Sequence, residues 1–281
     1  MYAKNRFWSI LPEKICPHHE DIDHQYSTVA LLVHAFSCYS ATIHFLLSTD
    51  DPMPGFLFLD KPAGMTSHDV INRVRRLTNE RRVGHAGTLD PFATGLLIVA
   101  VEREATRELS KFVGLNKTYE ATFILGTSSD TDDVEGVITP LPLSKPFNES
   151  QIRAALQQFI GQIDQLPPSY SAIKIGGKKM YEAAREGKPL EAKPRRITIY
   201  NSDLKNVSSL DDSKTQQLSV SIHCSSGTYI RAIARDLGRA LGTGGYVSVL
   251  RRTSIGPIQL SEATSLKQLE LHSIPDVLAR L

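Results

Sequence analysis

The stretch GHAGTLDPFATGLLIVAV, residues 84–101, decides how the rest of the chain is interpreted. Its second half, residues 96–101, is a short apolar run of mostly branched side chains, which predicts a buried strand in a covered sheet. The loop before that strand consists of small residues and carries one carboxylate, Asp90. Pro91 disfavours the helical conformation at Asp90, so the side chain can project from the loop. An isolated Asp-Pro pair would indicate no more than a turn.

Length and composition are those of an ordinary globular protein. The chain has 281 residues, of which 41% are hydrophobic and 22% charged, which fits one or two domains with a sizeable core. Its three cysteines, Cys16, Cys38 and Cys224, show neither metal-ligand spacing nor an even disulfide framework. We therefore expect a reducing, cytoplasmic location.

The net charge of +2 is unevenly distributed. Acidic residues outnumber basic ones in residues 1–52, whereas arginines cluster at 73–76, 81–82, 195–196 and 251–252. Clusters of this kind fit a polyanionic partner. Solvated helix faces produce similar pairs, so charge alone does not decide between a nucleic-acid surface and an ordinary one.

Residues 1–52 differ in character from the rest of the chain. They contain the only tryptophan and two of the three cysteines. Residues 29–47 are apolar enough to raise the question of a membrane span, but polar side chains interrupt them and acidic residues precede them, where a signal peptide would be basic. We interpret residues 1–52 as an atypical extension, disordered or arising from a misassigned start, and predict no membrane segment.

Local patterns predict strands and helices that are interspersed without regular alternation. A capping box at residues 66–69 predicts the start of a helix. Residues 117–125 alternate as a strand with Tyr119 on its apolar face, and residues 228–241 have helical periodicity with Gly242 after the last turn. This order favours an α+β fold.

The acidic run between Asp130 and Glu135 has some features of a calcium loop. Its sixth position is Glu135 rather than glycine, and its twelfth is Leu141 rather than glutamate. Both positions matter for calcium binding by such a loop. We therefore predict no metal site.

Five motifs, in order along the chain, resemble those of the bacterial tRNA pseudouridine-55 synthases of the TruB type. They are KPAGMTS (residues 61–67), HAGTLDPFATG (85–95), KTYEA (117–121), PPSYSAIK (167–174) and GTYIR (227–231). One such motif is weak, but five in sequence are specific. The resemblance covers about residues 55–257 and implies the pseudouridine synthase fold, a central mixed, mainly antiparallel sheet with flanking helices and an RNA-binding cleft.

The resemblance also implies the domain limits. Residues 53–258 are expected to form the catalytic domain, and residues 259–281 a short tail. Longer members of the family continue into a small C-terminal RNA-binding domain, which this chain is expected to lack.

The activity implied by the resemblance is isomerisation of uridine-55 in the T-loop of tRNA. The reaction gains no atoms and loses no electrons, so no cofactor is expected, in agreement with the lack of a P-loop or a dinucleotide-binding glycine motif. Asp90 is implied to act as nucleophile or base, by adding to the base, attacking the sugar or removing a sugar proton. Arg231 is implied to orient Asp90 and keep it ionised, and Tyr119 to stack on the uracil.

The resemblance suggests further contacts with the RNA. His85 is implied to enter the space left by the flipped base, Tyr229 to position the base or the arginine, and Leu250 to pack beneath the base. Lys61 is grouped with these substrate residues, although we expect it to shape the loop under Asp90 rather than to react. Candidate contacts with the RNA backbone are Arg73, Arg76, Lys174, Lys178, Lys179 and Arg235.

Two alternatives remain open. One is a pseudouridine synthase that acts on another RNA, although ribosomal-type relatives usually carry arginine where this chain has Thr88. The other is a non-catalytic factor that binds and folds tRNA. We expect a monomer that binds the T-arm of tRNA, with no membrane partner.

Overall fold

The computed structural model describes residues 55–271, with Pro189 left out. The predictions about residues 1–52, including the apolar residues 29–47, lie outside these described residues. Among the helices of the described part, none combines the length and the apolar character needed to cross a bilayer.

Short strands and helices alternate irregularly along the described chain. The strands are β1 (Phe56–Lys61), β2 (Val83–Ala86), β3 (Thr94–Val101), β4 (Lys117–Leu125), β5 (Thr127–Ser129), β6 (Ile138–Pro140), β7 (Gly161–Gln165), β8 (Lys174–Ile175), β9 (Lys178–Lys179), β10 (Arg195–Leu210), β11 (Gln216–Cys224), β12 (Gly245–Ile255), β13 (Ile258–Gln259) and β14 (Thr264–Ser265). The helices are α1 (Ser67–Thr78), α2 (Glu102–Glu108), α3 (Ser110–Val113), α4 (Glu149–Gln157), α5 (Met180–Arg185), α6 (Ile230–Ala240) and α7 (Leu266–Leu271).

One ten-stranded sheet organises these elements. Its order is β14-β1-β3-β12-β4-β11-β10-β7, with β2 paired to β3 and β13 to β12. Within the described residues, the pairs β1–β14 and β3–β12 are parallel and the other pairs of this sheet are antiparallel. The α+β prediction with a mixed, mainly antiparallel sheet is therefore confirmed.

The elements predicted most firmly from local pattern are present. Strand β3 is buried from Gly95 to Val101, because β1 pairs with it along one edge, and β12 and β2 pair with successive parts of the other edge. The capping box at the start of α1 is formed: the Asp69 N–H donates to the Thr66 Oγ1 at 3.0 Å, and the Thr66 N–H donates to the Asp69 Oδ2 at 2.9 Å.

The main core lies between the central strands and the helices α4 and α6. Ile152 and Leu156 of α4, and Ile233 and Leu237 of α6, are at most 2% exposed and pack with the buried side chains of β4, β11 and β12. Each such side chain contributes roughly 1.5–3 kcal/mol through burial. Because α6 is fixed in this way against the sheet, a residue at its start has a defined position.

Two strands are longer than the sequence predicted. Local apolar pattern marks only residues 195–200 of β10 and 247–250 of β12 as strand, whereas β10 continues to Leu210 and β12 spans Gly245–Ile255. Register shifts interrupt the pairing of both strands. Each shift changes which face a side chain occupies, so the alternation that marks a strand is lost from the sequence.

The segment after residue 258 is not a detached tail as far as it is described. β14 pairs with β1, through Leu59 with Thr264 and Asp60 with Ser265. Leu266 and Leu269 are buried in a hydrophobic cluster with residues of α1. The expected boundary at 258/259 is therefore corrected: the chain as far as Leu271 continues the same fold, because Leu266 and Leu269 complete that cluster.

Candidate active site

Asp90 lies in the connection between β2 and β3; we call residues 87–95, which include the first two residues of β3, the Asp90 loop. Ser67 at the start of α1 anchors this loop: its hydroxyl donates to the Leu89 carbonyl oxygen at 3.1 Å and accepts from the Leu89 N–H at 2.9 Å. The Ala93 N–H also donates to the Asp90 carbonyl oxygen at 3.1 Å. The backbone that carries the carboxylate is therefore held from both sides of Asp90.

A pocket of about 280 Å³ opens beside Asp90. Its walls bring together five of the residues chosen from the sequence, although they come from four separate segments of the chain: Asp90, Tyr119, Tyr229, Arg231 and Leu250. The volume is near the lower end for small-molecule sites. The pocket therefore suits one nucleoside-sized group rather than a long segment of a polymer.

Arg231 forms a close ion pair with Asp90. Its Nη2 donates to the Asp90 Oδ1 at 3.2 Å, and its Nε lies 2.9 Å from Oδ2 without the alignment of a hydrogen bond. The same guanidinium donates from Nη1 to the Asp133 Oδ2 at 2.9 Å and to the Thr131 carbonyl oxygen at 2.8 Å. The Arg231 side chain is only 4% exposed. It is thus a rigid bridge between two carboxylates.

The pKa of Asp90 differs from the lowered value that pairing with Arg231 alone would give. Burial raises the pKa of the Asp90 carboxyl, and the Asp133 charge adds to that rise, whereas Arg231 and Lys61 lower it. Burial outweighs the arginine, so the net pKa is raised. The Asp90 side chain is nevertheless 35% exposed toward the pocket, so a substrate can reach it.

Tyr119 and Leu250 form an apolar part of the pocket. They lie on the neighbouring strands β4 and β12, on the face that is turned toward the core, and are 8% and 5% exposed. Burial raises the pKa of the Tyr119 hydroxyl, so it stays protonated at neutral pH. A flat ring and a branched aliphatic side chain side by side can pack against a planar heterocycle.

Tyr229 occupies the N-cap of α6, two residues before Arg231. Its N–H donates to the Gln165 Oε1 at 2.9 Å, and the Gln165 Nε2 donates to the Tyr229 carbonyl oxygen at 3.0 Å. Gln165 was not singled out from the sequence, although it lies two residues before the motif at residues 167–174. It fixes the start of the helix that carries Arg231.

Lys61 does not contact the pocket, which corrects its grouping with the substrate residues. It is fully buried, and its ammonium donates to the carbonyl oxygens of Pro62 (2.9 Å), Met65 (2.5 Å) and Pro91 (3.1 Å). Burial lowers the pKa of Lys61 to about 8. Because Pro91 follows Asp90, the lysine supports the Asp90 loop, as the sequence analysis expected of its chemistry.

His85 lies on β2, paired with Val99 of β3, and does not line the pocket. Burial lowers the pKa of its imidazole, with the nearby Arg252 adding to the effect. Its Nδ1 is buried and without a hydrogen-bond partner in the part of the chain that the structure describes. A contact between His85 and RNA remains a prediction.

The candidate backbone-binding cations fall into two groups. Arg235 is wrongly assigned: its Nη1 donates to the Asp132 Oδ2 at 2.9 Å, its Nη2 donates to the Leu166 carbonyl oxygen at 2.9 Å, and it is also paired with Asp236. Its side chain is only 14% exposed. Arg235 therefore supports α6 and the chain around residue 166 instead of facing solvent.

The remaining candidate cations lie at the surface, and three of the five are paired with a carboxylate. Arg73 donates from Nε to the Glu270 Oε1 at 2.7 Å. Lys178 is paired with Glu186, and Lys179 with Glu182 at 3.6 Å. Arg76 and Lys174 are exposed and have no ion-pair partner within the described residues. These last two are the cations most readily available to a polyanion.

The acidic run of residues 130–135 has a structural role that the sequence did not reveal. Asp133 pairs with Arg231 and Asp132 with Arg235, so two adjacent acids face two arginines one helical turn apart. Asp132 adopts a left-handed φ of 62°, which lets consecutive carboxylates reach different partners. The four-residue spacing of the arginines was the available signal. Residues 55–271 contain no group of side chains that could hold a metal ion.

Two sequence models match this chain. The model described as TruB family pseudouridylate synthase (N terminal domain) matches residues 75–230, and that described as tRNA pseudouridylate synthase B C-terminal domain matches residues 231–276. The second match begins in α6 and includes β12, so it does not test the expected absence of a further small RNA-binding domain. The described part of that segment belongs to the main sheet.

Similar proteins agree with these matches. The protein named tRNA pseudouridine synthase B of Arthrobacter sp. (strain FB24) is 47% identical over 217 residues, which cover 77% of this chain and 71% of the relative. The protein of the same name from Mycobacterium tuberculosis (strain CDC 1551 / Oshkosh) is 47% identical over 216 residues, covering 77% and 72%.

Among solved structures, the chain is similar to one described as the crystal structure of a Cbf5-Nop10-Gar1 complex. The identity is 28% and the TM-score 0.59, and the similarity covers 81% of this chain and 55% of that one. This chain thus spans just over half the length of that solved chain.

Proposed function

This chain belongs to the TruB family of pseudouridylate synthases, and from that membership we propose that it isomerises uridine-55 in the T-loop of tRNA to pseudouridine. The observation that carries the proposal is the Asp90 carboxylate, held by the buried Arg231 beside a pocket formed in part by Tyr119 and Leu250. A carboxylate, a fixed guanidinium and an aromatic face are what the reaction needs at one nucleoside.

The reaction rearranges bonds within one nucleoside. The bond between N1 of uracil and C1′ of ribose breaks, the base turns, and a bond forms between C5 and C1′. The hydrogen on C5 leaves as a proton and N1 gains one, so atoms and electrons balance without a redox partner. Asp90 is the proposed reacting group, by addition to the base, attack on C1′ or removal of a sugar proton.

The pocket geometry requires the uridine to leave its stack. A base in a folded loop cannot reach a carboxylate recessed beside a pocket, so the nucleotide must be flipped, at a cost of a few kcal/mol. Stacking on Tyr119 offsets that cost by about 1–3 kcal/mol. We propose that His85, outside the pocket but on the adjacent strand β2, contacts the RNA from which the base is withdrawn.

The proposed partner is tRNA, in agreement with the names of the similar proteins. We propose a monomer that binds the T-arm of tRNA in the cytoplasm. The exposed Arg76 and Lys174 are proposed to contact the RNA backbone. Such phosphate contacts position the RNA without reading its sequence.

Position-resolved mapping of pseudouridine tests the proposal. An unmodified tRNA transcript and a free T-arm stem-loop are incubated with the full chain, and the control transcript carries cytidine at position 55. We expect one pseudouridine, at position 55, in the tRNA and in the stem-loop. Product only at other positions would support a different RNA specificity, and tight binding without any product would support the non-catalytic alternative.

We expect the acid limb of the pH–rate profile to report Asp90. The ionised carboxylate is the reactive form and burial raises its pKa, so the rate constant should fall as the pH decreases through a value above the ordinary one of about 3.9. Asp133→Asn removes a negative charge that raises this pKa, so its limb should move to lower pH. Single-turnover rates measured across pH give both curves.

The matched control for this shift is Glu149→Gln, which changes an exposed acid on α4 that is paired with Arg153. Its acid limb should coincide with that of the unmodified chain. If the limb of Asp133→Asn stays in place or moves to higher pH, the assignment of the limb to Asp90 is wrong.

A further inference from the structure

We propose that Arg252 is a positioning residue that fixes the Asp90 loop at both of its ends and thereby sets the reaction rate without touching the RNA. The inference rests on the proposed function, since it concerns the geometry of the reacting carboxylate. In the sequence Arg252 is marked only as part of an arginine cluster, but the residue is 1% exposed and is among those that line the pocket.

The side chain of Arg252 contacts the backbone on either side of Asp90. Its Nε donates to the Leu96 carbonyl oxygen at 2.8 Å, and its Nη2 donates to the Gly87 carbonyl oxygen at 2.9 Å. Leu96 directly follows the Asp90 loop and Gly87 begins it. One planar guanidinium therefore holds the backbone at both ends of the loop.

The backbone of Arg252 makes a further contact with the loop. It pairs in parallel with Gly95, where a Cβ atom would lie 2.3 Å from the Arg252 carbonyl oxygen. At Gly87 a Cβ atom would lie 3.3 Å from Nη1 of the guanidinium. Both glycines also have positive φ values, 81° at Gly87 and 103° at Gly95. The loop is thus shaped to approach Arg252 at both ends.

The charge of Arg252 has no carboxylate partner within residues 55–271 as far as the structure describes them. A buried charge without a counter-ion is costly, and here it is met by backbone carbonyl oxygens of the Asp90 loop and β3. Such charge-assisted hydrogen bonds are stronger than neutral ones. An apolar residue would fill this space at lower electrostatic cost, so the guanidinium points to a positioning role.

Arg252 also lies beside β4, the strand that carries Tyr119. It is the cross-strand partner of Tyr119 in the pairing of β12 with β4, and its charge lowers the pKa of the Tyr119 hydroxyl against the stronger effect of burial. The same side chain therefore relates the Asp90 loop to the ring proposed to stack on the base. A displacement of Arg252 would change the position of the carboxylate relative to that ring.

Arg196 on β10 provides the control. Its exposed guanidinium binds Asp164 through Nε–Oδ1 at 2.7 Å and Nη2–Oδ2 at 3.1 Å, and it does not line the pocket. Arg196→Met thus removes an arginine from the same sheet, with loss of an ion pair, but leaves both hydrogen bonds of Arg252 to the Asp90 loop.

The test compares Arg252→Met, Arg252→Lys and Arg196→Met with the unmodified full chain. Single-turnover rates are measured on a tRNA transcript with enzyme in excess, and the Kd for that transcript is measured separately. Because a misplacement of about 1 Å costs on the order of 100-fold in rate, we expect a loss of about 100-fold for Arg252→Met. We expect its Kd to stay within about threefold, less than 1 kcal/mol, and Arg196→Met to retain a nearly unchanged rate.

Arg252→Lys separates charge from geometry. An ammonium keeps the charge but lacks the planar fork, and losing one charge-assisted hydrogen bond is expected to lower the rate about tenfold. A normal rate in folded Arg252→Met, or a loss that lies in Kd, overturns the proposal. If Arg252→Met does not fold, the rate of Arg252→Lys decides in the same way. An inactive unmodified chain would instead refute the proposed function.

Discussion

Asp90→Asn is expected to bind tRNA with nearly unchanged affinity and to isomerise it at least about 10⁴ times more slowly, a loss typical of removing the reacting group. The amide preserves the size of the side chain, and its oxygen can still accept the hydrogen bond that Arg231 Nη2 donates at 3.2 Å. It is a far poorer nucleophile or base than a carboxylate. Single-turnover formation of pseudouridine and the Kd for tRNA measure the two parts of this expectation.

The control for Asp90→Asn is Asp164→Asn, which changes an exposed carboxylate on β7 that is paired with Arg196. Surface ion pairs of this type contribute little, about 0–1 kcal/mol, so the control should keep both its rate and its affinity. If Asp90→Asn retained a rate within tenfold of the unmodified chain, Asp90 would not be the reacting group.

Arg231→Lys is expected to lower the single-turnover rate by about 10²–10³-fold, the usual cost of losing one preorganised donor. Arg231 reaches Asp90, Asp133 and two backbone carbonyl oxygens with one rigid fork. An ammonium cannot keep these directions together. We expect the variant to fold, because the charge beside the buried Asp133 is preserved.

Arg231→Met distinguishes the two roles of this arginine. It removes the charge and leaves the Asp133 carboxylate, whose side chain is only 3% exposed, without its partner. Breaking a buried pair in this way costs about 3–5 kcal/mol of the free energy of unfolding, so thermal unfolding should shift strongly in this variant and little in Arg231→Lys. A normal rate in Arg231→Lys would refute the pairing as a functional feature.

The features that the sequence predicts well are those that depend on residues close together along the chain. The apolar run at residues 96–101 is a buried strand because a covered sheet accepts such a run wherever it lies. The capping box of α1 is formed because its two partners, Thr66 and Asp69, are three residues apart. Four site residues from the motifs converge with Leu250 on the pocket, although no spacing argument could show how close they lie.

What the sequence could not predict depends on contacts between distant segments. Asp133 is 98 residues from Arg231, and Arg252 is 165 residues from Gly87. Neither pairing has a local signature, since an acid in a loop and an arginine in a strand are ordinary surface residues. Arg235 shows the converse error: on its helix it resembles a free basic residue, but the fold pairs it with Asp132.

A structure of Asp90→Asn bound to a T-arm stem-loop is the most direct test of the claim that one carboxylate acts on a flipped nucleoside. We expect the target uridine to be out of the loop stack, its base between Tyr119 and Leu250, and its C1′ or C6 within about 3.5 Å of the side chain at position 90, as a near-attack geometry requires. A stem-loop bound with the uridine still stacked and the pocket empty would contradict the claim.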